Sequence, residues 1–116
     1  MPVEARIELL PGDAAIFTLS GAMTMGQSLK AVDGQLQNAL ASGIRHMVLD
    51  LNGVEYADSA GLGLLVHTFG LLNERRGTLR LCSIQPRLRT MLHTTRTDTI
   101  LTLDGNREDS LAALKK

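Results

Sequence analysis

The residues best suited to chemistry stand together in Asp58-Ser59-Ala60-Gly61-Leu62-Gly63, where a hydroxyl sits beside a carboxylate and two glycines follow at alternate positions. A buried-looking strand, His46 to Leu51, and a seven-residue connection lead into this stretch, and a helical apolar pattern leads out of it. That places Ser59 in the first turn of a helix, where unpaired backbone N–H groups and the positive dipole end favour an added negative charge. Asp58 is positioned to cap the same helix through its carboxylate.

A serine can attack or be attacked. A hydrolase serine on a strained elbow needs Gly-x-Ser-x-Gly, and here Ala57 stands where the first glycine belongs. Neither the Walker spacing nor the three-glycine dinucleotide pattern accompanies Gly61 and Gly63. His46, His67 and His93 are too widely spaced for a recognisable metal motif, and Cys82 is the only cysteine available to help them. Cys82 itself lies in an alternating strand pattern and reads as a structural thiol. What remains is a serine acted upon by another protein, with glycines that let a partner backbone approach. Each glycine costs a helix about 1 kcal/mol relative to alanine, so two in one turn need a reason. The residues alone leave a second account open: Asp58 and Ser59 only cap the helix, and the glycines only permit tight packing on a sheet.

The elements around the serine follow from periodicity. Val3, Ala5, Ile7 and Leu9 alternate with charged residues as a half-buried strand, Pro11-Gly12-Asp13 turns the chain, and Ala15 to Leu19 returns as a second strand. Gly21-Ala22-Met23 leads to Thr24 and Gln27, whose spacing matches a capping box and predicts a helix from there. Leu29, Val32, Leu36, Ala39 and Leu40 form its inward face, and Gly43 supplies a left-handed cap. The strand Met47 to Leu51 is apolar on both faces, as a strand covered by helices on both sides should be. Leu62, Leu65, Val66, Phe69 and Leu72 make the next helical stripe, closing at Arg75-Arg76-Gly77 with basic residues in the last turn and a glycine beyond. Thr78 to Ile84 predicts a strand and Pro86 opens a short helix carrying Leu88, Met91 and Leu92. Thr94 to Asp98 is a polar connection and Thr99 to Leu103 a last strand. Arg107 to Lys116 predicts a final helix, with acids early and lysines late.

Repeated strand–helix–strand units require parallel pairing with right-handed crossovers, and the opening hairpin adds an antiparallel pair. The expectation is an α/β sandwich with a mixed sheet of four to five strands and about four helices. Sites in such sheets collect on loops at the carboxyl ends of strands, and Asn52 to Ser59 is such a loop. No internal repeat or linker divides residues 1–116, so a single domain is expected.

Composition narrows the function classes. Twelve basic and twelve acidic residues give no net charge, and Phe17, Tyr56 and Phe69 are the only aromatics, which argues against a nucleic-acid stacking platform. Residues 1–60 carry seven acids and three bases, residues 61–116 five acids and nine bases. Arg75, Arg76, Arg80, Arg87, Arg89 and Arg96 are therefore either a solvated surface or a basic face for an acidic partner. One cysteine permits no internal disulfide, and neither a leader nor a membrane-length apolar run is seen, so a cytoplasmic, soluble chain is expected.

The run from His46 through Asp58-Ser59-Ala60-Gly61-Leu62 to Gly63 resembles the signature of the STAS domain, specifically the bacterial anti-sigma-factor antagonists. The likeness continues more weakly through Gly77 to Cys82 and Thr95 to Asp98, and the element order matches across essentially the whole chain. The resemblance implies a STAS-like sandwich and a cycle. An unmodified antagonist binds an anti-sigma factor that is also a serine kinase, freeing the sigma factor, and phosphorylation of the motif serine ends the binding. By position Ser59 is the phosphoacceptor, and Asp58, Ala60, Gly61, Leu62, Gly63 and Thr24 belong to the partner-binding surface. ATP and magnesium belong to the kinase, so the chain holds no cofactor or metal and has no catalytic residue of its own. A separate phosphatase resets Ser59. Relatives carry Gly-x-Leu-Asp where this chain has Gly21-Ala22-Met23-Thr24, so an expected acid is missing and Thr24 stands as a substitute hydroxyl or as the helix cap. A non-switching STAS scaffold or accessory subunit, and a small-ligand (nucleotide) binding domain, are the other functions the family leaves open.

Overall fold

The hairpin and the three crossovers read from the sequence are all present in a computed structural model, which describes residues 1–114. Strand β1 (Glu4–Leu10) pairs antiparallel with β2 (Ala14–Ser20). Helix α1 (Gln27–Ala41) crosses to β3 (His46–Gly53), α2 (Ser59–Glu74) to β4 (Thr78–Cys82), and α3 (Pro86–Thr94) with a 3₁₀ turn (Thr97–Thr99) to β5 (Thr102–Asp104). Helix α4 (Arg107–Leu114) follows. The strands lie in sequence order, β1-β2-β3-β4-β5, with every pair after the hairpin parallel.

Alternation along β2, β3 and β4 divides the side chains between two layers. Phe17, Leu19, Met47, Leu49, Leu51 and Leu81 are buried in the larger core, which Val32 and Leu36 of α1, Leu65 and Leu72 of α2, and Leu88 and Leu92 of α3 complete. Ile16, Val48 and Cys82 face the other way, where Leu111 and Leu114 of α4 cover them. The sheet is thus covered on both faces, as the apolar run of β3 requires.

Polar side chains tie α4 to its face. Arg107 donates from Nε to Asp50 Oδ2 at 3.0 Å and from Nη2 to Thr18 Oγ1 at 2.7 Å. Arg80 makes a two-pronged pair with Asp104 at 2.7 and 2.9 Å, and Ser110 Oγ donates to the same carboxylate at 2.6 Å. These bonds satisfy polar groups that burial beneath a helix would otherwise leave unpaired.

Several expectations are corrected. The half-buried face of β1 holds only at its start: Val3 is buried, but Ile7 and Leu9 are exposed on this edge strand. Helix α1 does not begin at Thr24, and no capping box forms: Gly26 is the N-cap, with no side-chain cap bond. The predicted strand Thr99 to Leu103 is replaced by the 3₁₀ turn and a strand of three residues, because the threonine hydroxyls bond locally, Thr99 Oγ1 donating to the Arg96 carbonyl at 2.6 Å. Strand β4 stops at Cys82, since Ser83 has φ 57°. Helix α4 runs to Leu114, and the expected continuation to Lys116 lies outside the described residues.

The helix ends also have particular causes. Gly43, at φ 104°, ends α1 with the Ile44 N–H donating to the Ala39 carbonyl and the Gly43 N–H to the Leu40 carbonyl, both at 3.1 Å. At the end of α2 the left-handed residue is Arg76, not Gly77. Gly77 is needed for a different reason: a Cβ there would overlap the Arg45 carbonyl oxygen.

Candidate functional site

Asp58 is the N-cap of α2, and its carboxylate holds two separate pieces of chain. Oδ1 accepts from the Gly61 N–H at 2.9 Å, closing the first turn of the helix. Oδ2 accepts from the Met25 N–H at 2.9 Å, 33 positions away in sequence. The backbone adds to this seam: the Met23 N–H donates to the Tyr56 carbonyl at 3.0 Å, and the Asp58 N–H to the Met23 carbonyl at 3.1 Å. Residues 23–25 thus run beside residues 56–58, and that pairing delays the start of α1 to Gln27. The two backbone N–H donors hold the Asp58 carboxyl below the usual carboxylate range, Met25 contributing most and Gly61 next. Asp58 is therefore ionised at neutral pH.

Ser59 begins α2 and is exposed, one residue beyond this seam. Among the described residues no general base is hydrogen-bonded to it, and no three His, Cys, Asp or Glu side chains cluster so as to hold a metal ion. What the geometry offers is a hydroxyl at the positive end of a sixteen-residue helix, on backbone fixed from two sides.

The two glycines separate in role. Gly61 is buried, and a Cβ there would overlap the Met23 carbonyl oxygen, so its glycine is required by the contact between α2 and residues 21–25. Leu62 is also buried, in the main core. Gly63 is exposed, with nothing within 4 Å of where its Cβ would be. Of the sequence-predicted surface residues, Asp58, Ser59, Ala60 and Gly63 lie together at the start of α2 with Thr24 on the adjoining segment, whereas Gly61 and Leu62 face inward. Met25 is a residue that the sequence reading missed. It is 77% exposed beside the Asp58 carboxylate, and the signal was a methionine directly preceding a helix-opening glycine.

The arginines do not form one surface. Arg75 donates to the Leu40 carbonyl at 2.8 Å at the far end of α2, Arg80 is paired with Asp104 under α4, and Arg87 lies over the Tyr56 ring, 4.9 Å from its centre.

Fold and site together define an α/β sandwich that presents one serine at a clamped helix start. The chain belongs to the STAS domain family, whose model matches residues 6–110. It is similar to the anti-sigma F factor antagonist of Paenibacillus polymyxa, 27% identical over 60% of this chain and 60% of that protein. It is also similar to BtrV of Bordetella bronchiseptica, described as a candidate anti-sigma factor antagonist, 30% identical over 72% of each chain. In structure it matches a Thermotoga maritima protein described as a candidate anti-sigma factor antagonist, with TM-score 0.88 at 18% identity, covering 97% of this chain and 95% of that one. It matches phosphorylated SpoIIAA, a Bacillus cell fate determinant, with TM-score 0.74 at 14% identity over 95% and 98% of the two chains. The fold recurs in a sulfate transporter family protein from Wolinella succinogenes, TM-score 0.75 at 18% identity over 93% and 89%. Function must therefore be argued from the site.

Proposed function

We propose that this chain is an anti-sigma-factor antagonist acting as one STAS unit over residues 1–116. Unphosphorylated, it binds an anti-sigma-factor serine kinase and releases the sigma factor; phosphorylation of Ser59 ends that binding. The observation that carries this reading is an exposed serine hydroxyl, without a base of its own, at a helix start whose backbone Asp58 holds rigid. The names of the curated relatives support the same role.

In the proposed reaction the Ser59 oxygen attacks the γ-phosphorus of ATP bound in the kinase. Its proton passes to a base of the kinase, and ADP leaves. A phosphatase later hydrolyses the phosphoserine to serine and inorganic phosphate. The chain is substrate and switch, not catalyst, and needs no cofactor. It contacts neither nucleic acid nor membrane and works in the cytoplasm; no helix among the described residues is long and apolar enough to cross a membrane.

A phosphate adds about −1.5 to −2 charges, which the start of α2 accommodates within the fold. Against a bound kinase the same group is a bulky dianion beside the ionised Asp58, in an interface shaped for a hydroxyl. A loss of about 3 kcal/mol is more than a hundredfold in affinity. Mixing the protein with the organism's anti-sigma serine kinases and ATP should give one phosphate-dependent shift on phosphate-affinity gels, absent in Ser59→Ala. No shift, or a shift that survives in Ser59→Ala, excludes the switch and leaves the scaffold reading.

A further inference from the structure

A cleft of about 320 Å³ runs between the starts of α1 and α2, with Met25, Leu29, Ala60, Gly63 and Leu64 as its apolar lining. Lys30, Asp33 and His67 also line it. We infer that this cleft receives an apolar side chain of the serine kinase that holds Ser59, and that Gly63 lacks a side chain to keep it open. The inference rests on the reading of Ser59 as the kinase's substrate and names a second point of contact for it.

Three observations select this occupant. The first is continuity: Ala60, the residue after Ser59, lines the cleft, and Met25, held through its N–H by Asp58, forms its lip. A kinase active site closed over Ser59 therefore covers the cleft as well. Second, Gly63 has no internal justification. Gly61 must be glycine to admit the Met23 carbonyl, but a Cβ at 63 would have no atom of the described residues within 4 Å, and glycine weakens a helix interior. Gly34 and Gly70 are open helical positions too, but of the three Gly63 is the one that lines the cleft. Third, the composition is that of an interface centre, apolar with a few polar residues, and its most exposed large apolar side chain is a methionine, whose flexible thioether adapts to a partner's shape. The volume, at the low end of the ~300–1,000 Å³ typical of small-ligand pockets, suits one or two side chains.

The test uses whichever of the organism's anti-sigma serine kinases phosphorylates Ser59, loaded with ADP, and measures its affinity by calorimetry. Gly63→Leu, which fills the cleft, should weaken binding at least tenfold and slow Ser59 phosphorylation, with a melting temperature no lower than that of the parent. Gly70→Leu, two turns further along α2 in similarly open space but outside the cleft, should bind as the parent does. Gly63→Ala guards against misfolding: it should melt higher than the parent and bind more weakly. Parent-like affinity of both Gly63 variants overturns the inference and leaves the Ser59 switch standing. Equal loss in Gly70→Leu also overturns it, because the effect is then not local to the cleft. If no kinase modifies Ser59, both readings fall together.

Discussion

A Cβ at position 61 would press into the Met23 carbonyl oxygen, which is backbone already fixed by its bond from the Asp58 N–H and cannot turn aside. Gly61→Ala should therefore cost about 1–3 kcal/mol, as overpacking does, despite alanine's better helix propensity. Thermal denaturation should show a drop of several degrees, since about 1 kcal/mol moves a domain near this size by some 4–8 °C; an unchanged or higher midpoint would refute the contact. At this scale the sequence is readable where causes are local. Asp58 is legible as a cap because its Gly61 partner is three residues on. Thr24 and Gln27 mislead because the competitor for that backbone, Asp58, lies in the next strand–helix unit. The two glycines cannot be told apart without knowing that Met23 packs against one of them.

Helix α4 is short and relies on polar bonds as much as on Leu111 and Leu114. The Asp50–Arg107 pair is asymmetric: the Arg107 side chain is 35% exposed and the Asp50 side chain 10%. Removing Asp50 lets Arg107 turn to water, whereas removing Arg107 leaves the buried Asp50 carboxylate with the Asn52 N–H alone, at 3.0 Å. Asp50→Ala should cost about 1–2 kcal/mol and Arg107→Ala more, about 2–3 kcal/mol, with the double variant well short of the sum. Urea denaturation of the four proteins checks this; strict additivity would mean that the pair contributes nothing jointly. The sequence predicts the element order, strands β2 and β3, and the stripes of α1 and α2, because their apolar periods are long and regular. It reads Thr94 to Asp98 as a polar connection but starts the last strand too early, at Thr99, where a threonine suits a strand and equally suits a turn bonded through its own hydroxyl.

Across the whole molecule, acid should act through the two carboxylates whose ionised forms the fold favours. Asp58 is held low by the Met25 and Gly61 N–H groups, and Asp104 by Arg80 and then Ser110. Both titrate in the folded protein below the ordinary 3.8, so the unfolded chain takes up protons first as pH falls. Their contribution is complete above about pH 5 and is lost as pH drops through and below 3.8. Melting temperature should be level above pH 5 and fall steeply beneath pH 4, with a shallower fall in Asp104→Asn; an unaltered slope in that variant would remove the Arg80–Asp104 pair from the account. The strand order carries a consequence for how the molecule is made. Because β1 to β5 are neighbours in the order they are synthesised, each new parallel strand docks on an edge already laid down. The seam between residues 23–25 and 56–58, and the helix it opens, join elements that all precede α3, β5 and α4 in the chain. The backbone that sets the serine thus leaves the ribosome first, and its final setting waits for Leu88 and Leu92 of α3 to close the core, because a domain folds as a unit.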